Sequence, residues 1–447
     1  MTLHSRRVLD RALTIMGLVS IGLVIAALVA LLLPITVRGL GAIVFRSTVE
    51  WRRLQSEEFQ RGDSGALAAE LAAAQEARAP VYEMIAAFEA QLDEDREMRQ
   101  EYRRPLREVK EILHRLLGPE PGARRATLPR ERYGQTRWDR AEVHLERLLH
   151  TTEWVQTDPS LPAEPRLVPR GERFAGTSLE PLFGYVENNI GAMLRPRWTF
   201  YWRFLIDRSL DSHIFGGIGA EVLGTLYLTI GAILFAVPLG VLTAIYLVEY
   251  ARQGWIISTL RMFINTLAGV PSIVFGLFGL AFFINTIHVS DTKSTLAGAL
   301  TLAVLVLPLV IRASEEALRA VPLTYREAAL SLGASRWKAV VSVVLPASLP
   351  GIITGVVIAM GRAAGETAPI IFTAAVSVGQ PLRPWETLTQ PTPALPWNIY
   401  NLATEHPAVD EIRHVQYGMV FTLVALVLLL NFAAIVIRAR VSRKQRG

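Results

Sequence analysis

An all-α membrane protein with six transmembrane helices, and a helical extracytoplasmic insertion between the first and second, is the fold class this sequence predicts. Three observations predict it. Hydrophobic residues make up 51% of the 447, and they are bunched into blocks instead of being spread along the chain. Six blocks approach the roughly 20 residues that a helix needs to cross a hydrocarbon core about 30 Å thick, where only a segment that satisfies its own backbone is stable. Between the first two blocks lies a long charged stretch whose apolar residues recur at helical spacing.

The first block, about Ala12 to Pro34, follows Arg6, Arg7 and Arg11 as a signal peptide would. It is longer than the roughly 7–15 residues of a signal h-region and lacks a clear small-x-small cleavage site, so it reads as an uncleaved anchor. The other blocks are about Val222–Val248, Phe263–Ile287, Ser294–Ile311, Ser348–Gly365 and Tyr417–Val441, of which Ser348–Gly365 is the least purely apolar. An even number of spans puts both termini on one side. Arginines cluster at both ends, the last cluster being Arg438, Arg440, Arg443, Lys444 and Arg446. The connection from Ile311 to Leu345 adds Arg312, Arg319, Arg326, Arg336 and Lys338, whereas the opposite loop His288–Lys293 has a single Lys. The positive-inside rule therefore places the termini and this connection in the cytoplasm. The resulting division is an N-terminus and first helix (1–35), an external insertion (36–212), a five-helix core (213–441) with a cytoplasmic loop (312–346), and a tail (442–447). The net charge of +6 has a topological cause, so it implies contact with membrane lipid and not with nucleic acid. With no cysteine, disulfide scaffolds and thiol chemistry are excluded.

The insertion holds 27 Lys/Arg and 28 Asp/Glu, and long loops translocate whatever their charge. Gly65 to Leu117 reads as helix, with Val81, Ile85, Phe88 and Leu92, then Tyr102, Leu106, Val109, Leu113 and Leu116, at spacings of three and four. A break rich in Gly, Pro and Arg spans Gly118–Arg130, and a second amphipathic stretch follows from Asp139 to Val155. The Pro-rich run Asp158–Pro169 reads as a linker. A helical hairpin or small bundle standing on the membrane is expected, with a scaffold or docking role favoured over ligand binding.

The cytoplasmic connection carries Glu327-Ala328-Ala329, then Gly333, then Val343-Val344-Leu345-Pro346, which fits E-A-A-x3-G-x9-apolar-x-L-P. Two alanines let another backbone approach closely, while Pro322 and Gly333 bound a short helix and a turn. The plain alternative, an ordinary amphipathic connection, does not account for so many matched positions. A second phrase, Gly361-Arg362-Ala363-Ala364-Gly365-Glu366-Thr367-Ala368-Pro369, puts two charges at the end of the fifth span. Charges inside spans are costly, and those that persist face the protein interior or an aqueous path. Arg362 and Glu366 are four apart and can meet on one helix face, either serving a ligand or as a structural ion pair near the outer end of the span. A third phrase, in the third span, reads Leu267-Ala268-Gly269-Val270-Pro271-Ser272-Ile273-Val274-Phe275-Gly276. Thr225, Thr229 and Ser272 are pathway candidates, although hydrogen bonds within their own helices explain them better.

The coupling phrase resembles the permease subunits of bacterial ABC importers. The chain contains no Gly-Lys dipeptide, hence no G-x4-G-K-[ST] phosphate loop, so the ATPase must be another polypeptide. With Gly-Glu-Thr-Ala-Pro at 365–369 and Ile371-Phe372-Thr373-Ala374, the third phrase is similar to PstA-type permeases of phosphate importers over about Gly216 to Arg440. That resemblance implies the six-helix ABC importer permease fold, a non-catalytic subunit without cofactor, and a place in the bacterial inner membrane. It implies a PstB-like ATPase dimer, a PstC-like second permease and a PstS-like external phosphate-binding protein. ATPase coupling then falls to Glu327, Ala328, Ala329, Gly333, Leu345 and Pro346. Arg362, whose donor fork matches an oxyanion, is expected to meet the substrate, with Glu366, Thr367 and Ser272 along the pathway. The insertion is longer than the external loop of the simplest family members. Three other readings are a sulfate or molybdate permease, a membrane sensor and a secondary transporter. The lack of a cytoplasmic output domain speaks against the sensor, and the coupling phrase against the secondary transporter.

Overall fold

In a computed structural model, residues 3–118, 136–155, 164–210, 212–252, 254–406 and 412–444 are described. They fall into two units: Met1–Leu40 with Arg203–Ser209 and Gly216–Gly447, and Gly41–Trp202 with Leu210–Phe215.

The first unit holds the apolar blocks. Helix α1 (Leu3–Leu40) is apolar all round between Ala12 and Ile35, and Leu18, Leu23 and Leu31 stand exposed on it, as on a helix solvated by lipid. It meets the last helix where Gly39 faces Tyr417 and Phe421 and where Arg38 donates to the Tyr417 hydroxyl at 2.7 Å. The remaining long helices are α7 (Gly219–Ile245), α10 (Thr295–Arg319), α13 (Leu345–Gly365) and α16 (Arg413–Lys444). Five helical stretches among the described residues are long and apolar enough to cross a membrane. The sixth block, expected as one helix from Phe263 to Ile287, is instead a pair, α8 (Trp255–Leu267) and α9 (Ser272–Gly279, running on to Thr286), bent by 101°. The bend has a local cause. Pro271 has no amide hydrogen and disfavours helix at Val270, while the Gly269 and Val270 amides turn back onto Thr266 and Leu267. Between α10 and α13 lie α11 (Leu323–Ser331) and α12 (Arg336–Ala339). After α13 come α14 (Ala368–Thr373) and α15 (Leu395–Thr404).

The second unit is a helical bundle with two small sheets. Its helices are α2 (Val49–Phe59), α3 (Ser64–Glu94), α4 (Arg96–Leu117), α5 (Trp138–Leu149) and α6 (Glu180–Leu194). Gly65–Leu117 is thus two helices, because the Asp95 carboxylate caps α4 by accepting from the Glu97 and Met98 amides at 2.8 and 3.2 Å. The periodic residues do form the core. Val81, Ile85, Phe88 and Leu92 pack with Leu106, Val109, Leu113 and Leu116, and α6 closes the bundle with Leu182, Val186, Ile190 and Met193. Fully burying a side chain such as Phe88 stabilises by about 1.5–3 kcal/mol.

Two expectations need correction here. The stretch Asp139–Val155 is helical only to Leu149, and β2 (His150–Val155) pairs antiparallel with β3 (Glu164–Pro169), which had read as linker. Thr151, Thr152, Trp154 and Val155, all β-branched or aromatic, favour a strand in β2, and in a two-stranded sheet both strands are edges, where the prolines of β3 are tolerated. Most of the break Gly118–Arg130, and the start of the Pro-rich run, lie outside the described residues. A second antiparallel pair joins β1 (Val44–Ser47) to β4 (Arg197–Phe200).

Candidate functional site

Pro322 caps α11 with extended backbone, and the helix carries Glu327 and Ala328 exposed and Ala329 buried. It ends in a six-to-one and five-to-two pair of hydrogen bonds, from the Ala334 amide to Ala329 O (3.1 Å) and from the Gly333 amide to Leu330 O (2.9 Å). That closure requires a left-handed residue, and Gly333 supplies it at φ +77°. Around this helix and turn Leu323, Tyr325, Leu332 and Trp337 are more than half exposed. Large apolar side chains crowded on one exposed loop mark a surface built to be covered. Leu345 and Pro346 stand where a widened turn, Val340–Val344, gives way to α13 within one continuous helical stretch from Arg336 to Gly365, and such a turn is where a helix absorbs a proline's missing amide hydrogen.

The second constellation sits at the other end of α13. Arg362 Nε donates to Glu366 Oε1 at 3.3 Å, and the Arg side chain remains 44% accessible. Arg362 lies in the last turn of α13 and Glu366 just past its end, and Gly361 beside them stands against Val427 and Asn431, near the middle of α16. Asn431 Oδ1 is buried there without a hydrogen-bond partner among the described residues.

The two distant phrases meet in space. A Cβ on Gly276 would lie 2.9 Å from Pro369 Cα and 3.1 Å from Ala368 O, so only glycine permits α9 to seat on α14. Gly279 faces Thr373 one turn further along, so the two helices run the same way. Their starts stand at the same end: half-buried Ser272, the first residue of α9, and half-buried Thr367, just before α14. Thr225 and Thr229 bond the Glu221 and Thr225 carbonyls of their own helix at 2.8 and 2.7 Å, and the Thr225 hydroxyl also accepts from the Leu395 amide that opens α15 at 2.9 Å.

Sequence reading missed two features. Glu221, one residue before the apolar block drawn from Val222, is fully buried and accepts from Asn398 Nδ2 at 3.2 Å. An acid directly abutting an apolar block was the available signal. Arg312, which had counted only towards topology, donates through Nε to Asn265 Oδ1 of α8 at 2.8 Å, beside a cavity of about 450 Å³ lined by Arg261, Glu315 and Arg319. No local spacing reveals that contact, because it spans 47 residues.

Residues 236–447 match the family model for binding-protein-dependent transport system inner membrane components. The chain is similar to the phosphate transport system permease protein PstA 1 of Mycobacterium tuberculosis, 36% identical over 255 residues that cover 57% of this chain and 79% of the relative. It is similar also to PstA of Yersinia pestis, 38% identical over 228 residues, 50% of this chain and 73% of the relative. Among solved structures, the inward-facing MetNI methionine ABC transporter matches 50% of this chain and 95% of its own at 20% identity and a TM-score of 0.41.

Proposed function

Since this chain belongs to the PstA family of phosphate transport system permeases, we propose that it forms half of the translocation pathway of an ATP-driven phosphate importer, with Arg362 in contact with the anion. The observation that carries the reading is the Arg362–Glu366 pair at the end of α13, level with the middle of α16, with its guanidinium partly open. Glu366 holds the fork in place or accepts from a protonated phosphate. Ser272 and Thr367, at the facing starts of α9 and α14, supply hydroxyls along the same route. The exposed helix and turn at 323–333, with Glu327, Ala328, Ala329 and Gly333, then dock a separate ATPase, and Leu345-Pro346 carries its motion into α13. A PstB-like ATPase dimer, a PstC-like second permease and a PstS-like external binding protein complete the assembly.

Breaking the pair on one side leaves an uncompensated charge, so loss of uptake in Arg362→Gln alone is ambiguous. The double variant Arg362→Gln, Glu366→Gln removes both charges. If Arg362 meets the anion, the double variant assembles with its partners yet stays inactive in phosphate uptake normalised to assembled complex. Near-normal uptake would reduce the pair to a structural one. Both termini are placed in the cytoplasm and residues 36–212 outside it, from the arginine distribution. Single cysteines at Gln60 and Gly447 of this cysteine-free chain test that: Gln60→Cys should label from outside and Gly447→Cys only after permeabilisation. The reverse pattern would invert the topology.

A further inference from the structure

We propose that Arg326 and Glu249 form a strut that makes α11 move as one body with the ends of α7 and α10, so that motion of the docked ATPase reaches the pathway helices. This rests on the coupling role assigned above to the loop at 323–333. Arg326 lies next to Glu327 but about a quarter-turn round the helix, part-buried where Glu327 is exposed. Its Nε and Nη2 donate to Glu249 Oε1 at 3.0 and 2.8 Å, Nη2 also reaches Leu318 O at 2.8 Å, and Nη1 reaches Val321 O at 2.7 Å. The two ionic side chains are only 15% and 12% accessible.

One guanidinium therefore ties three elements that no other hydrogen bond described here joins at one point. Glu249 belongs to a widened turn, Tyr246–Tyr250, that terminates α7, with the Ala251 amide reaching back five residues to Tyr246 O. Leu318 is in the last turn of α10, and Val321 follows the cap residue Ala320. The Leu318 carbonyl, which also takes the Val321 amide at 3.3 Å, lies at the negative end of the helix dipole, a natural site for a cation. Beneath the pair Ile245, Leu318, Val321 and Val344 pack in one buried cluster, so the joint is apolar below and ionic above. A planar fork with fixed donor directions resists bending at this joint in a way that a single ammonium does not.

The test uses the whole assembled importer, with Arg326→Lys, Glu249→Gln and the exchange Arg326→Glu, Glu249→Arg. Phosphate transported per ATP hydrolysed is measured beside ATPase retention on purification. Arg326→Lys and Glu249→Gln should retain the ATPase and lower transport per ATP by about tenfold, the factor by which ~1.4 kcal/mol changes an equilibrium. The exchange should not recover the loss, because a carboxylate at 326 cannot donate to the Leu318 and Val321 carbonyls, and recovery by it would overturn the strut in favour of a plain ion pair. Unchanged transport per ATP in both single variants would overturn the strut, as would release of the ATPase, because Arg326 would then shape the docking surface itself. Absence of both from the membrane would make the pair a folding element and equally overturn it. Glu327→Lys separates this from the parent reading: if it keeps the ATPase and full uptake, the loop is not the docking element, whatever Arg326 does.

Discussion

Arg78 in the inserted unit and Arg362 in the membrane-crossing unit are the same side chain put to opposite uses. Arg78 is 8% accessible and all three of its nitrogens are engaged: two donate to Met193 O, and the third to Leu117 O and to Glu50. It gathers the ends of α4 and α6 onto α3, in the body of a bundle whose apolar core is already complete. Among the described residues Arg362 has a single bond, of 3.3 Å, and an open face. A guanidinium engaged at every nitrogen cannot bind a ligand without breaking the fold, whereas one held at a single edge can exchange its remaining donors with an arriving anion. The inserted unit therefore reads as a scaffold and the membrane-crossing unit as the place where charge is left available.

The sharpest way to break this contrast is Arg78→Met. It strands two buried carbonyls and removes a partner of Glu50, which keeps Arg53 at 3.5 Å. The expected loss is about 3–5 kcal/mol from the inserted unit, read as a lower urea midpoint and faster proteolysis between α2 and α6. A shift below 1 kcal/mol would remove the structural role, by the ~1 kcal/mol typical of one net hydrogen bond. The double change Arg362→Gln with Glu366→Gln, which leaves no charge uncompensated, should do the reverse. Its stability change should stay within about 1 kcal/mol while phosphate uptake falls by more than an order of magnitude. Large destabilisation with uptake scaling to the folded fraction would make the two arginines alike.

The smallest expected effect is on pH dependence and concerns the inserted unit alone. Burial first, then Arg147, Arg140 and Arg115, push His144 down from 6.5 to about 4. The native state thus holds this imidazole neutral where the unfolded chain binds a proton. Its contribution is fully present above pH 6.5 and is lost progressively as pH falls towards 4. At ~1.4 kcal/mol per pKa unit the total is at most a few kcal/mol. His144→Gln should flatten the stability profile of the inserted unit in that window. An unchanged slope would place the acid sensitivity elsewhere.

Much of this was legible before any fold was known. Composition and length placed the helices of the membrane-crossing unit, since a bilayer demands long apolar runs and tolerates no substitute. Helical spacing placed Val81 to Leu116 in the core of the bundle, because a 3.6-residue repeat has one buried face. Strand β3 was not legible, because Pro165 and Pro169 carry the composition of a linker and only pairing with β2 made a strand of it. Helix α6 was missed because its apolar residues are interrupted by Glu187, Asn188 and Asn189, which its exposed side accommodates.

The sequence by itself determined which residues are apolar, where the breakers Pro271, Pro322 and Gly333 stand, and which phrases mark the family. Those are properties of single residues and short spacings, and local physics reads them directly. Only the tertiary structure decided that Pro271 bends the chain by 101°, that Arg362 lies level with the middle of α16, and that Arg326 reaches Glu249 across 77 residues. Depth and partner choice depend on how whole helices cross. Those crossings are set by summed packing over many side chains, such as the seating of Gly276 on Pro369, and no short window of sequence contains that sum.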